Sequence, residues 1–183
     1  MEEKVILAAI DEMYIHCLRF TMDDLTKRLH MSITSLYKIV GTKDNLIHEI
    51  INYLMASFEA EEKKIEAEKV SAREKVSRFV DEYTRAFKLL GSGTYNELQL
   101  NYHSEWLRCE TFRREKIDVL LKLIHSGMES GEFRQVNSAV LQHCLILMSS
   151  ILMDTEFLNE NNLTYPQAIE IMRDLIFHGL LKD

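Results

Sequence analysis

The stretch from Phe20 to Leu46, FTMDDLTKRLHMSITSLYKIVGTKDNL, carries three helix starts in quick succession. Thr21, Ser32 and Thr42 each offer a hydroxyl to the free N–H groups of a first helical turn. Asp24 follows Thr21 by three residues, so hydroxyl and carboxylate can satisfy each other's backbone donors. Met22, Leu25 and Leu29 recur at spacings of three and four, which gives helix 22–29 one apolar face. His30-Met31-Ser32 breaks that period. Ile33 to Ile39 forms the next helix, with Leu36 and Val40 turned inward. Ile33, Thr34, Tyr37 and Lys38 can face out, and Gly41 ends the helix. This is the arithmetic of a helix-turn-helix, whose second helix lies in the DNA major groove.

The chain around this stretch is helical too. A helix from about Glu2 to His16 has Val5, Ile6, Ala9, Ile10 and Met13 as its inner stripe, behind the reading helix. Lys43 opens a long helix to about Glu68, with Leu46, Ile47, Ile50, Ile51, Leu54, Met55 and Phe58 at helical spacing. Its far end, Glu59 to Lys69, is charged or small and is expected in solvent. This helix joins head to body and can carry a movement from one to the other.

These residues resemble the DNA-binding domain of the TetR family of transcriptional regulators. Thr21, Leu25, Ser32, Leu36-Tyr37, Ile39-Val40, Lys43 and Leu46 take the places of that family's capped helix, turn, Leu-Tyr pair, aromatic pair and helix-opening lysine. The resemblance implies an all-α fold of about nine helices. Residues 1–48 would be the DNA-binding head, and residues 49–183 the effector-binding and dimerisation body. It also implies a repressor released from a palindromic operator by a small molecule. Cys17 and His30 stand where the family often has glycine. Ile33 replaces a reader that is often basic or polar, and Ile39-Val40 replaces an aromatic pair. These departures leave the operator sequence open. They also motivate an alternative, an interaction protein or coactivator that has lost sequence-specific reading.

Thr21, Ser32, Ile33, Thr34, Ser35, Tyr37, Lys38 and Lys43 are the expected DNA contacts. Tyr37 and Lys43, with Thr21 and Lys38, are expected on phosphates. Ile33, Thr34 and Ser35 are expected at base edges, where Ile33 and the methyl of Thr34 can meet a thymine methyl. The net charge of −7 runs against a DNA binder until it is divided along the chain. Between Arg19 and Lys43 lie five basic and two acidic residues, and residues 44–183 alone carry −7. An acidic body with a basic head can meet phosphate through the head.

In the body, Ser71 with Glu74 marks a helix to about Leu90, with Val76, Phe79, Val80, Tyr83, Phe87 and Leu90 inward. Gly91-Ser92-Gly93 is a break. Thr94 and Glu97 are read as caps of a short helix to about Tyr102. A further helix spans roughly Ser104 to Ser130, with Trp106, Phe112, Ile117, Leu120, Leu121 and Ile124 inside. From Ser138 to Leu158 the chain is apolar nearly all round. Val140, Cys144, Leu147 and Ile151 make one stripe, and Leu141, Leu145, Met148 and Leu152 another. A helix apolar on two faces must be covered on two sides. Thr164 with Gln167 caps the last helix, whose Ile169, Met172, Leu175, Ile176 and Leu180 are expected on one face. A second copy of the chain, docked through residues 138–181, is the expected cover.

One proline and six glycines fit long uninterrupted helices. No apolar run approaches a membrane span, the N-terminal MEEKVILAAIDE is no signal peptide, and a cytoplasmic location is expected. Cys17, Cys109 and Cys144 lack metal or redox spacing and are expected as buried free thiols. No nucleophile elbow, phosphate loop or zinc signature is present, so no enzyme, cofactor or metal is expected. His48, His103, His125, His143 and His178 have no ligand-like neighbour one turn on. An effector cavity leaves no motif. Phe79, Tyr83, Tyr102, His103, Trp106, His143 and Met148 are its candidate lining, which suits a small apolar or aromatic effector.

Overall fold

The computed structural model describes residues 1–88 and 92–181. The head is built from α1 (Glu3–His16), a 3-10 turn (Cys17–Arg19), α2 (Met22–Leu29) and α3 (Ile33–Val40). α4 (Lys43–Ala67) leads into the body. There α5 (Ala72–Phe87), α6 (Ser92–Asn101) and α7 (His103–Ser130) are followed by α8 (Ser138–Ile151), α9 (Thr155–Glu160) and α10 (Tyr165–Leu180). Among the described residues no strand forms; Phe133 and Leu181 share an isolated antiparallel bridge.

The helices start where side chains replace missing backbone partners. Thr21 accepts from the Asp24 N–H, and the Asp24 carboxylate accepts from the Thr21 N–H. Ser32, Thr42 and Ser71 cap α3, α4 and α5 through the N–H three residues on. Thr164 and Gln167 close a reciprocal box at α10. Among the described residues three non-glycine residues turn the chain at positive φ: Cys17 at 51°, His30 at 52° and Asn162 at 53°. His30 is left-handed, which a helix end requires and glycine adopts most readily. It stands at one of the two places where the resemblance has glycine.

A large apolar core joins head and body, and a second, smaller cluster of Leu152, Leu158, Tyr165, Ala168 and Ile169 lies under α9 and α10. Val5, Ala9, Leu25, Leu36 and Leu46 in the head continue through Ile50 and Phe58 of α4 into Phe79, Phe112 and Ile124. The body core turns on Phe58, whose ring meets Phe79 at 5.3 Å and Phe112 at 5.9 Å, edge to face.

Several expectations are corrected. The far end of α4 is not fully solvated: Glu62 and Ile65 are buried. Lys116 of α7 donates to Glu62 at 2.6 Å, and its ammonium lies over the Phe112 ring. A carboxylate enters the interior only with such a partner, and Lys116 is remote in sequence. Thr94 and Glu97 do not cap a helix; both are buried inside α6. The helix expected over 138–158 stops at Ile151, because Asp154 caps a separate α9 by accepting from the Phe157 N–H. Leu175 points away from Ile169 and Leu180, which are buried. Cys109 is buried, and burial pushes its thiol up to about 12. Cys17 is half-buried and Cys144 exposed. Leu90, Gly91 and the side chain of Phe87 lie outside the described residues.

Replacing His30 by glycine tests the turn. The side chain is exposed and loses no packing, while the left-handed backbone is relieved. His30→Gly should gain about 0.5–1 kcal/mol after the extra chain entropy of glycine. Thermal unfolding should rise by roughly 2 °C.

Candidate functional site

α3 is held from behind and open in front. Leu36 and Val40 are buried against α1, α2 and α4. On the other face Ile33 is 39% and Tyr37 46% exposed. Thr34, Ser35 and Lys38 are exposed beside them. Ser32 and Ser35 are tied into the cap: Ser32 Oγ accepts the Ser35 N–H at 3.1 Å and lies 2.9 Å from Ser35 Oγ. Thr21 stands exposed at the start of α2, its hydroxyl engaged with Asp24. Hydrogen bonds from Thr21 hold the Asp24 carboxyl below the usual carboxylate range. So Thr21, Ser32, Ile33, Thr34, Ser35, Tyr37 and Lys38 share the outer surface of the helix-turn-helix.

Lys43 is placed differently. It opens α4 as expected, but its ammonium donates to the Leu18 and Phe20 carbonyls, each at 2.6 Å. It also sits 4.6 Å from the Phe20 ring centroid. Two of its three N–H groups hold the protein itself. Burial holds this ammonium below the ordinary lysine range, while Glu97, Asp44 and Asp24 pull the other way. The other head cations are also partly engaged. Arg28 donates to Glu12 at 2.6 Å and Arg19 to Glu97 at 2.5 Å. Lys27 and Lys38 are exposed. The basic surplus counted along the sequence is therefore only partly presented outward.

Glu97 was not foreseen as a contact to the head. It accepts the Leu18 N–H at 2.7 Å through one oxygen and the Arg19 side chain through the other. Its signal was mistaken for a cap, since Thr94 and Glu97 have the spacing of one.

In the body a cavity of about 90 Å³ lies between α5, α7, α8 and α10. Phe79 and Tyr83 line it as expected, with Leu120, Leu145, Ile169 and Ile176. The other five candidates are elsewhere. His103 is exposed and stacks on Trp106 at 5.2 Å, and Trp106 meets Tyr95 of α6 edge-on. Tyr102 is half-buried at the joint of α6 and α7. His143 is exposed on α8. Met148 lines a shallow groove between α8 and α10, with Val140, Cys144 and Leu175. Five polar residues of the lining were not foreseen: Thr84, Arg113, Lys116, Ser149 and Arg173. A signal existed, because Arg113 falls on the same helical stripe as Ile117, Leu120 and Ile124. Among the described residues no group of three His, Cys, Asp or Glu side chains is placed to hold a metal.

Lys43→Ala is expected to loosen the head before any DNA is present. It leaves the Leu18 and Phe20 carbonyls without their charged donor, a loss of about 2 kcal/mol. Urea unfolding of the free protein measures it, and an unchanged midpoint would leave Lys43 without a bracing role.

No family model matches the chain. It is 27% identical over 165 residues to the uncharacterised HTH-type transcriptional regulator YvaF of Bacillus subtilis, covering 90% of this chain and 87% of that one. Its structure superposes on a transcriptional regulator of Cytophaga hutchinsonii with a TM-score of 0.72, at 18% identity over 98% of each chain. A TetR regulator of Haloarcula marismortui gives 0.68, at 18% identity over 97% of each chain. The TetR-family regulator PfmR of Thermus thermophilus gives 0.67, at 18% identity over 98% of this chain and 100% of that one. From helix-turn-helix to last helix, the chain therefore has the fold of the TetR-family transcriptional regulators, and its sequence is related to an HTH-type transcriptional regulator.

Proposed function

We propose that the chain is a TetR-type transcriptional repressor, dimeric, bound to a palindromic operator and released when a small molecule fills the body cavity. The observation that carries this is α3: an outer face of Ile33, Thr34, Tyr37 and Lys38 on a helix locked from behind by Leu36 and Val40. Tyr37 and Lys38 are suited to phosphates, and Ile33 and Thr34 to base edges. Thr21, Ser32 and Ser35 border the same surface. Lys43 braces the α4 terminus and keeps one N–H for a phosphate.

The dimer is supported by an uncovered apolar stripe. On α8 Val140 is 61% and Leu147 59% exposed, and on α10 Leu175 is 63% exposed. Cys144 and Ile151 continue the stripe on α8, and Ile171 on α10. Five large aliphatic side chains on adjacent helices exceed what single scattered exposure explains. Two copies meeting through 138–181 would set two reading helices about 34–36 Å apart, or a multiple of the helical turn. Among the described residues no helix is long and apolar enough to cross a membrane. The alternative, an interaction protein without sequence-specific reading, draws on Arg28 and Lys43 being held by partners within the protein, and on Arg19 pairing with Glu97 at the surface. Selection from a random DNA pool separates the two: an enriched palindrome supports the repressor, and no enrichment the alternative.

On the selected operator, Ile33→Ala should relax preference at one base pair by roughly 1 kcal/mol. Lys38→Ala should weaken all sequences alike and lower the salt slope by about one per contact. Equal, uniform losses from both would refute the division between readers and anchors.

Leu147→Glu with Leu175→Glu should give monomers in sedimentation. In that variant a thiol reagent should reach Cys144 faster than in the unmodified dimer, whose partner covers the stripe. A parent protein that sediments as a monomer at micromolar concentration would refute the dimer.

A further inference from the structure

We propose that the body cavity takes an apolar monocarboxylate, whose head group is received by Arg113 and the hydroxyl of Tyr165. This rests on reading the cavity as the effector site and names what fills it.

The charges around the cavity are sorted by sign. Among the described residues three cations line it, Arg113, Lys116 and Arg173, and no carboxylate does. Their partners lie outside the lining: Glu110 behind Arg113, Glu62 behind Lys116 and Asp81 behind Arg173. An occupant therefore meets positive groups set in apolar walls, where charges are poorly screened. A cationic head is repelled there, and an uncharged one gains nothing from the sorting.

Arg113 is the group built to receive an anion. It is only 6% exposed. Its Nε and Nη2 donate to Glu110 at 3.0 and 2.6 Å, and its Nη1 donates to Ser149. A guanidinium has five N–H groups, so these three bonds leave two. Those two lie on the terminal nitrogens, where a second carboxylate can bind end-on.

Tyr165 is the independent observation. It is 5% exposed, and among the described residues its hydroxyl has no hydrogen-bond partner. Burial raises its pKa well above the tyrosine range; Tyr83 adds to the rise and Arg113 opposes it, so the three share one neighbourhood. Tyr165 lies one layer behind the lining, packed with the cavity walls Leu152 and Ile169. Orphaned buried hydroxyls are rare in folded proteins, and an acceptor brought by a ligand accounts for this one. A carboxylate offers two oxygens, one for the guanidinium and one for the phenol.

Size limits the tail. The cavity of about 90 Å³ is smaller than the ~150 Å³ that accommodates benzene in an engineered core. A short alkanoate fits as the helices stand. A longer one must part them, and so favours a displaced arrangement of the body.

The test uses the full-length protein and the straight-chain acids from butanoate to decanoate, each with the amine and alcohol of equal length. Calorimetry should show the acids binding at least about tenfold tighter than the alcohols, and the amines not binding. Tyr165→Phe should unfold at a higher temperature than the parent without ligand, and bind the acids about tenfold more weakly. Arg113→Met with Glu110→Gln removes the ion pair as a unit and should abolish the preference for acids. Leu145→Trp should fill the cavity and block every probe. Amines or alcohols binding as tightly as acids would overturn the ligand class and leave the cavity as effector site. Acids that bind the Leu145→Trp protein normally, or bind the parent not at all, would overturn the proposal. Acids that need Arg113 yet leave operator affinity unchanged would uphold the ligand class and refute the effector reading alone.

Discussion

The peptide of Leu18 is held from both sides. Its N–H donates to Glu97 of α6, and its carbonyl accepts from Lys43 at the start of α4. One residue of the turn after α1 thus joins the head, the connecting helix and the body. Hydrogen bonds to charged groups are worth about 1.5–3 kcal/mol each, above ordinary backbone bonds. Cys17, just before, takes a positive φ that aims Leu18 into the joint. Gly93 of α6 packs against the Cys17 sulfur so closely that an added Cβ would lie 3.2 Å from it. The angle of α3 to the body depends on this clasp, because α3 rests on α1, α2 and the first turns of α4.

α4 is pinned a second time, along α7. Near its start, His48 Nδ1 lies 2.9 Å from Glu105, and Arg108 donates to Glu105 and Asn52. Near its end, Glu62 meets Lys116. Between these polar pegs the Phe58 ring fills the core. Buried ion pairs add little net stability, since desolvation offsets most of the attraction. Their effect here is geometric: a slide of α4 by one turn would take Glu62 from Lys116 and Asn52 from Arg108. α4 can tilt as a rod about these pegs far more readily than it can slip.

What the sequence showed follows from how local each cause is. Caps and three-four spacing act within a few residues, so Thr21, Ser32, Thr42 and Thr164 marked their helices well. The two stripes of α8 were separable too: Leu145 and Leu152 are buried, while Val140, Leu147 and Ile151 are exposed. Failures gathered where a polar side chain meets a distant partner. Glu62 belongs to a run of charges, and only Lys116 on another helix makes its burial intelligible. Glu97 resembled a cap and is instead a tether to the head. Lys43 opens α4 as expected, but nothing in its neighbours announces the two carbonyls it holds. Of the aromatic cavity candidates, Phe79 and Tyr83 line it; Trp106 and Tyr102 pack beside α6, because composition places aromatic residues inside without saying which inside.

The cavity and the clasp meet on α6. Arg113 of the cavity wall holds Glu110, and Glu110 also accepts from the Tyr95 hydroxyl of α6. Burial raises the Tyr95 hydroxyl, and its bond to Glu110 adds to this, so the phenol stays protonated as a donor. Glu97 lies two residues further along the same helix. Residues so spaced point to different sides of a helix. Tyr95 therefore faces α7 while Glu97 faces the head, and α6 stands between the two as a rigid spacer. A helix of ten residues does not bend at such a spacing, so it moves as a body. From Arg113 through Glu110 and Tyr95, and across α6 to Glu97 and the Leu18 peptide, the contacts are continuous from cavity wall to head. Few contacts are needed for this wiring, and each is a polar bond with a distance narrow enough to break within an ångström or so of motion.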